Sequence, residues 1–292
     1  SRVEQTAQLA RRGVKPGARI LLVGGAGAMG RYLGRWLTDA GYRIRVLDRE
    51  DWDAVQTLCA GIELALLSVP IASAPEVIQR LAPHLPPDCI LGDIGSVKAA
   101  PMAAMLDAHP GPVIGLHPLF GPATTTMDKQ VVITSPGRRA PQCQWLLDQF
   151  TAWGAIVIQA DPAEHDKAMA VIQALRHFAT FSFGKFLFER QIALDQTLEY
   201  SSPIYRLELG MVGRLFAQDP TLYSEIILAS PERRQLLRDY LTSLQDSLAL
   251  IETGDKAAFE KHFQTIADWF DPFSDQALRE TTFLIDKLIE RF

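Results

Sequence analysis

Cysteine is scarce in this chain, and its three copies do not suggest pairing. Cys59, Cys89 and Cys143 are odd in number and widely spaced, with no CxxC spacing and no histidine cluster beside them. That pattern argues against a disulfide framework and offers no metal site; reduced thiols in a cytoplasmic protein fit it. Long hydrophobic runs are lacking too. The longest, Ile62 to Pro70, contains Glu63 and is far shorter than the roughly 20 residues of a membrane helix. The opening SRVEQTAQLARRGVKPG has no apolar stretch of the kind a secretory signal carries. Positive charge is not in excess either: 29 Lys and Arg stand against 34 Asp and Glu, a net charge of -5. Nucleic acid and anionic membrane are therefore poor partners. An anionic substrate would have to be held by a few placed cations. No internal repeat or low-complexity segment interrupts the chain.

What the chain has is a strand–helix rhythm. At 292 residues it is long enough for two packed domains. The runs Ala18–Val23, Arg43–Asp48, Glu63–Val69, Cys89–Ile94, Val113–Leu116, Val131–Thr134 and Ala155–Gln159 read as strands. Glu63–Val69 is apolar nearly throughout, as a strand buried on both faces is. Helical patterns such as Met29–Ala40 fall between most of them. After about residue 160 the strand signals stop. Helix starts recur instead, each a capping residue followed by proline: Asp161-Pro162, Ser202-Pro203, Asp219-Pro220 and Ser230-Pro231. Proline suits the first helical position, where its missing N–H has no partner to lose. The expectation is an α/β protein. Residues 1–17 would be a leader or linker, 18–160 a Rossmann-type, mostly parallel sheet domain, and 161–292 an all-helical domain. One helix of roughly 40 Å is predicted from Asp161 to Arg190, at 1.5 Å per residue. Its second half, HFATFSFGKFLF, is apolar nearly all round and needs burial in a core or against another subunit, which suggests a dimer.

The segment LLVGGAGAMGRYLGRWL carries Gly25-x-Gly27-x-x-Gly30 between a strand and a helix. Glycines there permit the tight turn, the approach of a pyrophosphate and close helix–strand packing. Met29 lies in the same turn. Asp48 ends the second strand 23 residues after Gly25. A carboxylate at that place accepts hydrogen bonds from the ribose hydroxyls of NAD and repels the 2′-phosphate of NADP. Arg49 beside it would soften that preference. A glycine-rich turn that binds nothing is the plain alternative.

Ligands of open parallel sheets bind beyond the carboxyl ends of the strands. By that rule Ser68, Val69 and Pro70 after the third strand, Ser96 and Lys98 after the fourth, and His117 at the end of the fifth share one rim with Gly25. An imidazole there is suited to take a proton as hydride leaves a neighbouring carbon. Each residue has a plainer reading: His117 as a loop histidine, Ser96 as a helix cap, Lys98 as a solvated first-turn residue. His84 and His109, in proline-flanked loops, read as surface residues. His165, between Glu164 and Asp166, reads as part of a solvated face.

In the second half His177 interrupts an apolar run and is either a satisfied core histidine or a ligand-binding group. Arg206 and Arg214 fall on one expected helix, with Gly210 and Gly213 between them. Arginine is the usual choice for bidentate carboxylate recognition. Either could equally pair with Glu208 or another acid. The two glycines suggest close approach of a ligand or another helix, since each costs a helix about 1 kcal/mol relative to alanine.

Five segments in order, GGAGAMG, DIGSVK, GLHPLFGP, ALRHFATF and YRLELGMVGRLFAQDPTLY, resemble the prephenate dehydrogenases of tyrosine biosynthesis. The likeness is greatest to the branch fused to chorismate mutase in enteric-type bacteria, and runs from about Arg19 to the C-terminus. It implies NAD-dependent oxidative decarboxylation of prephenate to 4-hydroxyphenylpyruvate, a homodimer formed through the helical domain, and feedback inhibition by tyrosine. On that resemblance His117 accepts the proton of the ring hydroxyl, Ser96 bonds to that hydroxyl or to His117, and Arg214 holds the ring carboxylate. His177 and Arg206 would belong to the substrate or tyrosine region, Tyr223 to the place for tyrosine, and Lys98 to the substrate set without a fixed duty. The mutase domain has no counterpart here, because Ser1–Lys15 is too short to be one; a trimmed chain or a monofunctional relative would account for that. An arogenate dehydrogenase and a 3-hydroxyacid dehydrogenase, the latter using Lys167 or Lys185, are the enzyme alternatives. A non-catalytic NAD or tyrosine sensor is the alternative of another class.

Overall fold

The computed structural model describes residues 12–291; the first eleven residues of the expected leader lie outside the described residues. The chain divides into two compact units, Ser1–Met169 and Ala170–Phe292.

The first unit is built on a seven-stranded sheet. Its strands are β1 (Arg19–Val23), β2 (Arg43–Leu47), β3 (Leu64–Leu67), β4 (Ile90–Asp93), β5 (Val113–Pro118), β6 (Val131–Pro136) and β7 (Ile156–Gln159). They lie in the order β2-β1-β3-β4-β5-β6-β7. All neighbours are parallel except β5 and β6. Helices α1 (Ala28–Asp39), α2 (Val55–Cys59), α3 (Ala74–Leu81), α4 (Ala99–Ala108), α5 (Gln144–Ala152) and α6 (Pro162–Met169) complete the unit. The mostly parallel α/β fold expected for this half is what is observed.

Strand periodicity explains the core. Ile20, Leu22, Leu64, Leu66, Ile114 and Leu116 pack into one cluster, while their chain neighbours Leu21, Val23, Ala65, Leu67 and Val113 pack into a second on the opposite face. Alternate side chains point to opposite sides of a strand, so an uninterrupted apolar run fills two cores at once. Truncating one such residue, Leu66→Ala for instance, would cost about 3 kcal/mol. The chain just before β1 is tied onto this unit: Gly13 N–H donates to the Ala40 carbonyl at 2.8 Å and Val14 N–H to Gln149 Oε1 at 2.8 Å.

The second unit holds no strand among its described residues. Its helical path opens with a π-helical stretch, Ala170–Leu175, followed by α7 (Arg176–Glu189). The single helix expected from Asp161 to Arg190 is therefore corrected to α-helix, π-helix and α-helix in succession. Then come α8 (Leu194–Glu199), α9 (Pro203–Phe216), α10 (Pro220–Leu228), α11 (Pro231–Glu252), α12 (Lys256–Phe270) and α13 (Phe273–Ile289). The proline-marked starts are true caps. Ser202 accepts from Tyr205 N–H, Asp219 from Thr221 N–H and Ser230 from Arg233 N–H. Asp161 likewise accepts from Ala163 and Glu164 N–H at 2.9 and 3.2 Å. Each side-chain oxygen satisfies a backbone donor that the first helical turn leaves open, worth about 1 kcal/mol.

Within the single chain much of this unit's apolar surface is uncovered. Phe181, Phe183, Phe186 and Phe188 of α7 are exposed, as are Phe263 of α12 and Phe283 of α13. Gly210 and Gly213 of α9 have open space where a side chain would sit, so the close neighbour expected at these glycines is not found among the described residues. No helix among the described residues is long and apolar enough to cross a membrane.

Candidate active site

Strand register aligns the carboxyl ends of the parallel strands. Val23 pairs with Leu67, Leu67 with Asp93, and Asp93 with Gly115. The residues that follow these positions, Gly24, Ser68, Ile94 and Leu116-His117, therefore line one rim.

At the β1 end of that rim the chain turns through Gly24–Gly27 into α1. Gly24 has a φ of +77°, and a Cβ there would lie 2.3 Å from the Ser68 carbonyl oxygen. Only glycine fits such a position. A Cβ on Gly30 would lie 2.6 Å from the Gly24 carbonyl oxygen and 2.7 Å from Gly25 Cα. Turn and helix can therefore close on each other only without side chains. Gly27 is the N-cap of α1 and no side chain caps the helix. Ala26, Gly27 and Ala28 are exposed, and Met29 packs against the core. Asp48, directly after β2, accepts from Ala26 N–H at 3.2 Å through Oδ2. An uncapped helix start with exposed backbone donors, and a carboxylate one strand away, fit the pyrophosphate and ribose of a dinucleotide. Ser68 N–H donates to the Val23 carbonyl at 2.8 Å, fixing the Ser68–Pro70 segment against the same turn.

Farther along the rim His117 is buried, at 3% exposure, near the end of β5. Its Nδ1 lies 2.8 Å from Nε2 of His165. His165 Nδ1 lies 2.8 Å from Oδ1 of Asp166. Asp166 also accepts the N–H of Lys98 at 2.7 Å and of Ala99 at 3.0 Å, at the start of α4. Burial opposes ionisation of Asp166, but the His165 bond and the two backbone donors prevail and its pKa lies below the usual carboxylate value.

Two expectations are corrected here. His165 is not on a solvated face: it is 2% exposed and bonded to His117. His109 is not a surface residue either; it is 1% exposed, with Nε2 2.5 Å from the Cys89 carbonyl oxygen. His84 is half-buried.

Lys98, expected among the substrate ligands, is fully buried with its ammonium on Asp93. Its side chain therefore holds the turn after β4 and is not presented to a ligand. Burial pushes the Asp93 carboxyl up and the Lys98 ammonium down, each resisted by the other's charge. Ser96 lies half-buried in that turn.

In the second unit Arg206 and Arg214 both lie on α9, Arg206 half-buried and Arg214 exposed. His177 of α7 is buried, its ring edge-on to Tyr223 of α10 with centroids 4.7 Å apart. Burial, with help from the Arg176 charge, lowers its pKa to about 4.

Two family models match the chain. Residues 37–159 match the nucleotide-binding domain of prephenate dehydrogenase and residues 161–265 its dimerization domain. A T-protein of Enterobacter agglomerans is 47% identical over 91% of this chain and 71% of its own length. This chain belongs to the prephenate dehydrogenase family. A second T-protein, from Haemophilus influenzae, is 42% identical over 92% of this chain and 71% of its own length. Among solved structures, the prephenate dehydrogenase of Aquifex aeolicus with hydroxyphenyl propionate and NAD+ superposes with a TM-score of 0.62 at 17% identity. That match covers 88% of this chain and 99% of the other. The arogenate dehydrogenase of Synechocystis gives 0.62 at 19% identity, covering 87% and 99%. These two likenesses show the shared prephenate dehydrogenase fold.

His165 and Asp166, which the structure joins to the candidate His117, are the residues that sequence reasoning missed. One signal was available: His165 and Met169 stand four apart in the sequence, and the structure buries both. That spacing marks an inner helix face, but the flanking acids disguised it.

Proposed function

We propose that this chain catalyses the NAD-dependent oxidative decarboxylation of prephenate to 4-hydroxyphenylpyruvate and CO2 in tyrosine biosynthesis. It does so as a cytoplasmic homodimer joined through the helical unit. Membership of the family carries the reaction. The observation that carries the mechanism is His117, seated at the end of β5 with Nδ1 committed to His165. Nε2 is then the nitrogen that would receive the substrate's proton.

Gly25, Gly27, Met29 and Gly30 would hold the NAD pyrophosphate, Asp48 the ribose, and Ser68, Val69 and Pro70 would flank the cofactor. Bound there, NAD supplies the acceptor for a hydride. The chain's own residues do the rest. His117 receives the proton of the ring 4-hydroxyl as the C4 hydride departs, and Ser96 hydrogen-bonds to that hydroxyl or to His117. The bond from C1 to its carboxylate then breaks, its electron pair enters the ring, and CO2 leaves. Aromatisation makes the step effectively irreversible, and the proton returns to the phenolic oxygen. Arg214 would bind the ring carboxylate, with Arg206 and His177 in support.

The deciding experiment supplies prephenate and NAD and identifies the products. Equimolar NADH and 4-hydroxyphenylpyruvate are expected; neither appearing would overturn the assignment. Running arogenate beside prephenate and comparing kcat/KM fixes the substrate, with prephenate expected to be preferred.

Tyrosine resembles both product and substrate, so feedback inhibition through Arg214, His177 and Tyr223 belongs to the same reading. Undiminished activity at millimolar tyrosine would remove it.

A further inference from the structure

The hydrogen bonds around Asp166 have a direction that can be read without seeing a proton. The backbone N–H groups of Lys98 and Ala99 can only donate, and both point at Asp166. An ionised carboxylate can only accept. His165 Nδ1, 2.8 Å from Asp166 Oδ1, must therefore carry a hydrogen and donate it. In neutral His165 the other nitrogen, Nε2, then bears the lone pair. It faces His117 Nδ1 at 2.8 Å, so the hydrogen between the two rings belongs to His117. Neutral His117 is left with its lone pair on Nε2.

We propose that His165 and Asp166 are positioning residues that lock His117 in the Nδ1–H tautomer, leaving Nε2 as the acceptor for the proton of the substrate hydroxyl. The inference rests on the reading of His117 as proton acceptor and says what makes it one. An imidazole free to choose would also populate the form with Nε2 protonated, which cannot accept. The two rings meet at 74° with centroids 5.0 Å apart, so the contact is a hydrogen bond between ring edges and not a stack. His165 has no exposed side-chain surface, so water does not compete for Nε2. When His117 takes the proton, its positive charge sits two hydrogen bonds from the Asp166 carboxylate and is stabilised through His165. No other bond is made or broken.

The same geometry gives Lys98 a duty. Its buried ammonium pairs with Asp93 at the end of β4. That pair holds the turn Ile94–Val97, and with it the Lys98 N–H that donates to Asp166. Lys98 thus acts through its backbone on Asp166, and through Asp166 and His165 on His117.

Nitrogen-15 NMR of histidine-labelled full-length protein, at a pH where imidazoles are neutral, reads the tautomer directly. The His117 signals are identified by their loss in His117→Asn. The parent is expected to show His117 protonated on Nδ1 and bare on Nε2; the opposite pattern overturns the proposal whatever the variants do. His165→Phe is expected to turn His117 largely to the Nε2–H form. In steady-state kinetics His165→Phe and Asp166→Asn should each lower kcat by about 100-fold, the scale of a positioned proton acceptor. The Kd for NAD should stay within about twofold. His165→Gln, whose side-chain oxygen can accept from Nδ1–H, should recover about tenfold over His165→Phe. Lost turnover in His117→Asn with unchanged kcat in His165→Phe overturns the relay alone. Retained turnover in His117→Asn overturns the assignment of His117 beneath it.

Discussion

Asp48 reaches from the end of β2 to the glycine-rich turn and accepts the Ala26 N–H at 3.2 Å. One carboxylate thus orders the turn and stands where a ribose would be met. Asp51 Oδ2 accepts the Asp48 N–H at 2.8 Å, which fixes the Asp48 backbone in turn. Hydrogen bonds to a charged group contribute about 1.5–3 kcal/mol. Asp48→Ala is therefore expected to raise the Kd for NAD at least about tenfold. With the repelling charge gone, the Kd for NADP should stay level or fall. Titrating both cofactors against both proteins checks this, and an unchanged ratio would remove Asp48 from cofactor choice.

The glycines of the turn should separate folding from binding. Alanine at Gly30 would drive its Cβ into the backbone of Gly24 and Gly25 at 2.6 and 2.7 Å. Backbone at that place cannot step aside, and forced overpacking costs about 1–3 kcal/mol. Alanine at Gly27 meets only the Gly24 carbonyl oxygen, at 3.3 Å, on an exposed surface. Gly30→Ala should lower Tm by several degrees. Gly27→Ala should leave Tm nearly unchanged yet weaken NAD by more than tenfold, because its methyl group would stand where the proposed site brings the pyrophosphate close. Thermal unfolding and calorimetric titration distinguish the two, and equal Tm losses would contradict the geometry.

His117→Asn should abolish turnover while leaving NAD affinity nearly intact, since the turn that would hold the dinucleotide lies at β1 and His117 at β5. Asparagine keeps polarity in a buried place but cannot accept a proton at neutral pH. Stopped-flow measurement of NADH formation and equilibrium NAD binding test both halves. A kcat within tenfold of the parent would refute the assignment.

Much of this architecture can be read from short-range pattern. Uninterrupted runs such as Leu21-Leu22-Val23 and Leu64–Leu67 supply both faces of the sheet, and Ser202-Pro203, Asp219-Pro220 and Ser230-Pro231 mark helix starts by local chemistry alone. The rule that ligands gather beyond strand ends singles out His117 as a candidate, and the structure seats it near the end of β5. What escaped depends on partners distant in the chain or hidden by neighbours. His165 stands between two acids, and its burial depends on His117, 48 residues away. Lys98 resembles a solvated cation until the turn after β4 folds it back onto Asp93. His109 is buried because β4 brings the Cys89 carbonyl to it. The π-helical stretch Ala170–Leu175 contains neither proline nor glycine to announce it.

His177 makes stability depend on pH in a direction that can be worked out. Burial and the Arg176 charge lower its pKa to about 4, against about 6.5 in an unfolded chain. The folded state thus holds the imidazole neutral while the unfolded chain protonates it more readily. A depressed pKa contributes stability that is fully present above the unfolded value. That contribution is lost as pH falls from about 6.5 toward about 4, and it reaches at most about 3 kcal/mol. His177→Gln removes the titration and keeps a polar side chain. It should be less stable than the parent at pH 7, because the edge-on contact with Tyr223 is lost. Between pH 7 and 4.5 its Tm should fall less steeply than the parent's. Protein concentration must be held constant in the comparison, since subunit association shifts apparent stability. Parallel Tm curves for parent and variant across that window would show that His177 titrates alike in the folded and unfolded chain.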